Sequence, residues 1–104
     1  MKLKISDLAI EDIKLFLENS KKSPNNLKKY YLSLISSINL LRYHPKLGKI
    51  AYIMKNQKIR KLIHKEHQIL YLIREDEIII LSVVHTNYSI YLNLNFIQKY
   101  ISEL

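Results

Sequence analysis

The apolar residues of this chain keep two different periods, and the change falls at "HPKLG", residues 44–48. Before it, Leu27, Tyr31, Leu34, Ile38 and Leu41 recur every three or four positions, the spacing of one stripe along a helix. After it, from Ile59 onward, apolar and polar residues alternate, which sets them on opposite faces of a strand. A chain that is helical in its first half and extended in its second must lay helices on a sheet. That is the α+β class.

The local signals give the element order. Residues 2–5, "KLKI", alternate and read as a short strand. Ser6 then offers an N-cap hydroxyl, Asp7, Glu11 and Asp12 suit the positive end of a helix, and Ala9, Ile13, Phe16 and Leu17 give a helical face, so a helix is predicted over 7–19. "NSKKSPNN" breaks it, and Ser23-Pro24 restarts a second helix that runs to about Tyr43, where Pro45 forbids extension. Two helices joined by so short a polar turn pack as an antiparallel hairpin. Residues 49–57 read as irregular. Three strands follow at 58–64, 67–74 and 77–85, with "HKEH" and "REDE" as the turns between them. "IIILSVV" is apolar on both faces and reads as the central strand. Leu94, Ile97, Ile101 and Leu104 allow a short C-terminal helix over 93–104. The expected architecture is β-α-α-β-β-β: an N-terminal strand and a two-helix hairpin packed on one face of a small antiparallel sheet. The other face is left open for function.

A length of 104 residues with 48% hydrophobic content suits one core, so residues 1–104 are expected to form a single domain. There is no cysteine, which removes disulfide and thiolate chemistry. No apolar run approaches the ~20 residues of a membrane span, and Asp7, Glu11 and Asp12 stand where a signal peptide would be apolar. A cytoplasmic protein with no membrane association is expected.

Charge is segregated along the chain. Residues 19–74 carry thirteen Lys or Arg against one acid, Glu66, whereas residues 1–18 and 75–104 are net acidic. Such a field attracts nucleic acid or an acidic protein. The bias peaks in "QKIRKLIHKEHQ", residues 57–68, where Lys58, Arg60, Lys61 and Lys65 are joined by His64 and His67. Alternation places Arg60 with His64 on one face and the aliphatic Ile59 and Ile63 on the other, so Arg60 and His64 are expected on the open face. Lys49, Lys58, Arg60, Lys61 and Lys65 are the candidate contacts to nucleic acid or an acidic partner. Tyr52, between Lys49 and Lys55, suits either an unpaired base or the edge of the core. His64 and His67 lack the further ligands of a metal site, and neither metal nor cofactor is expected.

In this order, "SDLAIEDI", the "P-x-x-G" of "HPKLG", Arg60 in "IRKLI", "HQILYLI", "REDE" and "IIILSVVH" resemble the RelE/ParE superfamily of bacterial type II toxins, over about residues 3–88. The resemblance implies a growth-arresting toxin silenced by a cognate antitoxin with an acidic toxin-binding tail. It also implies one of two targets: DNA gyrase, poisoned without a nuclease site, or mRNA cut on the ribosome. RNA cleavage of that kind needs a base for the 2′-hydroxyl, an acid for the leaving oxygen and a cation for the phosphate. Arg60, His64, His85 and Tyr88 are the candidate catalytic set, with His67 and Lys61 as further candidates. Members often carry an Arg three residues after the last His. Here "HTNY" puts Tyr88 in that place, and a tyrosine supplies no permanent charge. With the long second helix, this favours gyrase inhibition. An mRNA endoribonuclease is the alternative, and a non-toxic basic nucleic-acid-binding module the third reading.

Overall fold

The computed structural model describes residues 1–88 and 94–104. The elements are β1 (Lys2–Ile5), α1 (Asp7–Asn19), α2 (Pro24–Leu40), β2 (Lys49–Met54), β3 (Gln57–His64), β4 (His67–Arg74), β5 (Glu77–His85) and α3 (Leu94–Ser102). The strands form one sheet in the order β1-β5-β4-β3-β2. The four later strands are antiparallel neighbours, while β1 lies parallel to β5, from Lys2 against Glu77 to Ile5 against Ile80. The α+β arrangement therefore holds, and β5 is flanked on both edges as "IIILSVV" requires.

Both helix starts follow their caps. The Ser6 hydroxyl accepts from the Ala9 N–H and donates to the Leu81 carbonyl, tying α1 to β5. The Ser23 hydroxyl accepts from the Asn26 N–H, with Pro24 in the first turn. The end of α2 differs from the predicted Tyr43. The N–H groups of Leu41, Arg42 and Tyr43 bond three residues back, so the chain tightens into turns after Leu40, ahead of Pro45.

Residues 49–57 are not irregular. Lys49–Met54 form the edge strand β2, whose alternation is hidden by a register shift between Ile50 and Tyr52. Lys55 and Asn56 make the two-residue turn to β3, both with positive φ, as a tight hairpin requires.

The helix hairpin covers one sheet face. Ala9, Tyr30, Leu34, Ile38 and Leu41 pack there against Ile69, Tyr71, Ile78, Ile80 and Val83. The residue deepest at its N-terminal end is Tyr30, with Tyr31 only half-buried. The opposite face is not left open. Ile97 and Ile101 of α3 pack on Ile59, Leu70, Leu72, Ile79 and Leu81, with Tyr52 and Met54 at the margin. Lys55 Nζ also bonds the Ser102 hydroxyl, fixing the β2–β3 turn to α3. Tyr52 thus sits at the core edge. The expected helix start at Asn93 lies outside the described residues.

Glu75 opens the β4–β5 turn with φ 55°, a conformation in which a Cβ is strained. Glu75→Gly is expected to raise stability by up to about 1 kcal/mol, read from a urea melt.

Candidate functional site

Two regions gather polar chemistry, at opposite ends of β3. At the first, His64 opposes His67 and His67 opposes His85, so three histidines form a row across β3, β4 and β5. Direct partners share a face, and α2 places this row on the side of the helix hairpin rather than on the open face predicted for Arg60 and His64; Arg60, opposite Tyr71, lies on the hairpin side as well. Tyr30, Ser33 and Ser37, at helical spacing, point polar groups at it. Ser33 Oγ donates to the Tyr30 carbonyl at 2.7 Å, so it accepts from His64 Nε2 at 3.0 Å, and Ser37 Oγ donates to Nδ1 at 2.6 Å. Both nitrogens of neutral His64 are occupied by α2. Burial, helped by Lys65, holds its pKa below the usual histidine value.

His67 is the most deeply placed of the row, only 3% exposed. Its Nδ1 lies 2.5 Å from the Tyr30 hydroxyl, and Phe16 meets its ring edge-on at 4.5 Å. Burial pushes His67 down, with Glu66 pulling the other way. The same burial, with the charge of Glu66 second, pushes the Tyr30 phenol up to about 12. These groups are neutral packing partners that fasten α2 to the sheet.

His85 is the accessible member. Its Nδ1 accepts from the Asn87 N–H at 3.1 Å, so the neutral ring carries its proton on Nε2, which faces Glu66 Oε2 at 3.8 Å. Glu66 is also paired with Lys22 at 2.8 Å, and that hydrogen bond, ahead of the opposing desolvation, lowers its pKa. Alongside runs a cleft of about 490 Å³ lined by residues including Asp12, Phe16, Asn19, His85 and Tyr88. Asp12 accepts from the Ser82 hydroxyl at 2.8 Å and the Val83 N–H at 2.9 Å, yet burial still raises its pKa. Gln68 Nε2 donates to the carbonyls of His85 and Tyr88, at 3.1 Å each, and shapes this strand end.

Arg60 belongs to the second region. It stands four residues from His64 on the same strand, roughly 13 Å away, so the candidate catalytic set is divided. Its Nη1 donates to the Gly48 carbonyl at 2.8 Å. Gly48 N–H donates to the Tyr71 hydroxyl at 2.8 Å, and that hydroxyl donates to the Pro45 carbonyl at 2.7 Å. The "P-x-x-G" motif is therefore the seat of the Arg60 side chain. Arg60 and Lys58 line a groove with Lys46, Asn56, Gln57 and Ile73.

The five cations proposed for binding do not form a single patch. Lys58 and Arg60 share the groove. Lys49 and Lys61 face each other across β2 and β3, on the side that carries α3. Lys65 lies by the Tyr30 ring, at 5.8 Å from its centre. Sequence reading overlooked Tyr30, Ser33, Ser37, Lys22, Glu66 and Lys46. Glu66 left a signal, as the one acid in a strongly basic stretch.

The helix hairpin on this sheet, the "P-x-x-G" seat and the His85 strand end hold the segments on which the resemblance to the RelE/ParE superfamily rests. The family model described as "ParE toxin of type II toxin-antitoxin system, parDE" matches residues 3–88, and the chain belongs to that family. Among solved structures it is similar to one described as the chromosomal ParDE TA system from P. aeruginosa, with TM-score 0.67 and 16% identity, covering 82% of this chain and 95% of that one. It is also similar to a copper-bound mutant toxin from Helicobacter pylori, with TM-score 0.58 and 22% identity, covering 83% and 94%. No curated protein matches.

Proposed function

We propose that this chain arrests growth as a ParE-like inhibitor of DNA gyrase, acting in the cytoplasm and silenced by an acidic cognate antitoxin. The match to the ParE family over residues 3–88 carries the reading. The division of the candidate nuclease set supports it: Arg60 is remote from His85 and Tyr88, and His64 has both ring nitrogens engaged by Ser33 and Ser37. An acidic partner is supported by the β2 edge, where Ile50 and Ile53 are 46% and 69% exposed beside Lys49 and Lys55. An apolar strand edge flanked by cations suits an acidic segment with apolar anchors. Among the described residues no helix is long and apolar enough to cross a membrane.

Purified protein is expected to block gyrase supercoiling, and His85→Ala and Tyr88→Phe are expected to leave that block unchanged. Gyrase that supercoils normally in a molar excess of the folded protein defeats the reading.

A second reading, an mRNA endoribonuclease acting on the ribosome, draws on one observation. His85 is exposed, has a fixed tautomer and faces Glu66, which is paired with Lys22, and Tyr88 lines the same cleft as His85. There His85 would exchange protons with the RNA. His85→Ala would then lower mRNA cleavage in a translating extract by at least about 100-fold.

A further inference from the structure

We propose that the groove formed by Lys46, Lys58 and Arg60 binds the phosphodiester backbone of duplex nucleic acid. No carboxylate pairs directly with the cations of the groove among the described residues. Among the described residues the only carboxylate within ion-pair distance of a cation is that of Glu66, on Lys22 and His85 at the other end of β3. Three like charges therefore line one groove of about 310 Å³ with no carboxylate within ion-pair distance of any of them. Their mutual repulsion is relieved when an anion enters.

The site is also built. Arg60 is half-buried, and its guanidinium is fixed by the Gly48 carbonyl, which is held in turn by the Tyr71–Pro45 hydrogen bond. One edge of a guanidinium so held remains available to bind two oxygens of a phosphate. Asn56 and Gln57 add amide groups suited to phosphate oxygens, and Lys46 and Lys58 add field.

The lining decides between ligand classes. An acidic protein segment binds through apolar anchors set in pockets, and the groove offers only Ile73. Unpaired nucleic acid stacks its bases on aromatic rings, and no aromatic residue lines the groove. Sequence-independent contact with duplex phosphates needs neither. Such a groove adds a DNA contact to the gyrase reading without depending on it.

Fluorescence anisotropy with a labelled 20-base-pair duplex tests it, using the full chain. Wild-type protein should bind, with affinity falling as salt rises. Lys46→Ser/Lys58→Ser should weaken binding at least tenfold at low salt. It should also flatten the slope of log K against log salt by about 1.8, because two phosphates are no longer neutralised. Both lysines are exposed, so the fold should survive, as circular dichroism will show. Lys28→Ser/Lys29→Ser on α2 removes the same charge elsewhere and should keep near wild-type affinity. Equal weakening by both pairs, no binding of duplex, or displacement of duplex by polyglutamate at lower charge concentration than by unlabelled duplex would each overturn the proposal. A protein that binds duplex through the groove but leaves supercoiling intact overturns the gyrase reading alone. Supercoiling inhibition without duplex binding overturns the groove alone.

Discussion

Gly48→Ala is expected to cost about 2–3 kcal/mol of stability and to lower the melting temperature by about 10–15 °C. A Cβ at this position would sit 2.7 Å from Tyr71 Cε1, 2.8 Å from Tyr71 Oη and 2.9 Å from the Lys61 carbonyl oxygen. A buried ring lies on one side and strand backbone on the other, and neither can swing aside as the tip of a long side chain would. The backbone angle at Gly48 is an ordinary one, so the constraint is space rather than left-handed conformation. Displacing Gly48 also disturbs its hydrogen bonds to Tyr71 and Arg60. Melts of Gly48→Ala, Tyr71→Phe and the double variant should be non-additive, because the first and second changes act on one contact. A Gly48→Ala melting temperature within about 2 °C of wild type would show that the loop relaxes freely.

The second large effect is acid lability. His64 and His67 both have folded pKa values below the ordinary 6.5, chiefly through burial. The unfolded chain therefore takes up protons first as pH falls. The stability contributed by these neutral rings is complete above about pH 6.5 and is lost as pH drops below that value toward their folded pKa values. Glu66, lowered from 4.5, adds a further loss at more acid pH. Asp12, raised by burial from 3.8, works in the opposite sense and gains stability on protonation. Between about pH 7.5 and 5 the histidines dominate, and the melting temperature should fall by roughly 5 °C or more. His67→Phe should flatten that slope. A melting temperature independent of pH over this window would mean that both rings accept protons without loosening α2.

How much of this was legible in the sequence depended on whether a signal was local. Ser6 and Ser23-Pro24 marked helix starts through groups three residues away, and the structure uses them so. The tight turns "HKEH" and "REDE" likewise needed only neighbours. β2 was missed because the irregularity at Ala51 breaks period two within a six-residue strand. The face of Arg60 and His64 was misjudged because strand alternation divides residues into two sets without saying which set the helices cover. Here α2 brings Ser33 and Ser37 to a histidine that alternation alone assigns to solvent. Lys22 and Glu66 lie 44 positions apart and meet only through the fold, so their pairing had no sequence signal beyond the rarity of acids nearby.

The parallel pairing of β1 with β5 has a bearing on biosynthesis. Lys2 N–H bonds the Asp76 carbonyl and Ser6 N–H bonds that of Ile80, so the first strand waits for a partner more than 70 residues later. At ribosomal rates of 5–20 residues per second, that interval is roughly 4–15 s. Throughout it β1 has no strand to pair with, and the sheet formed by β2, β3 and β4 lacks the β5 residues on which α1 and α2 also pack. Harm to the cell that makes it is thereby deferred until β5 has been synthesised.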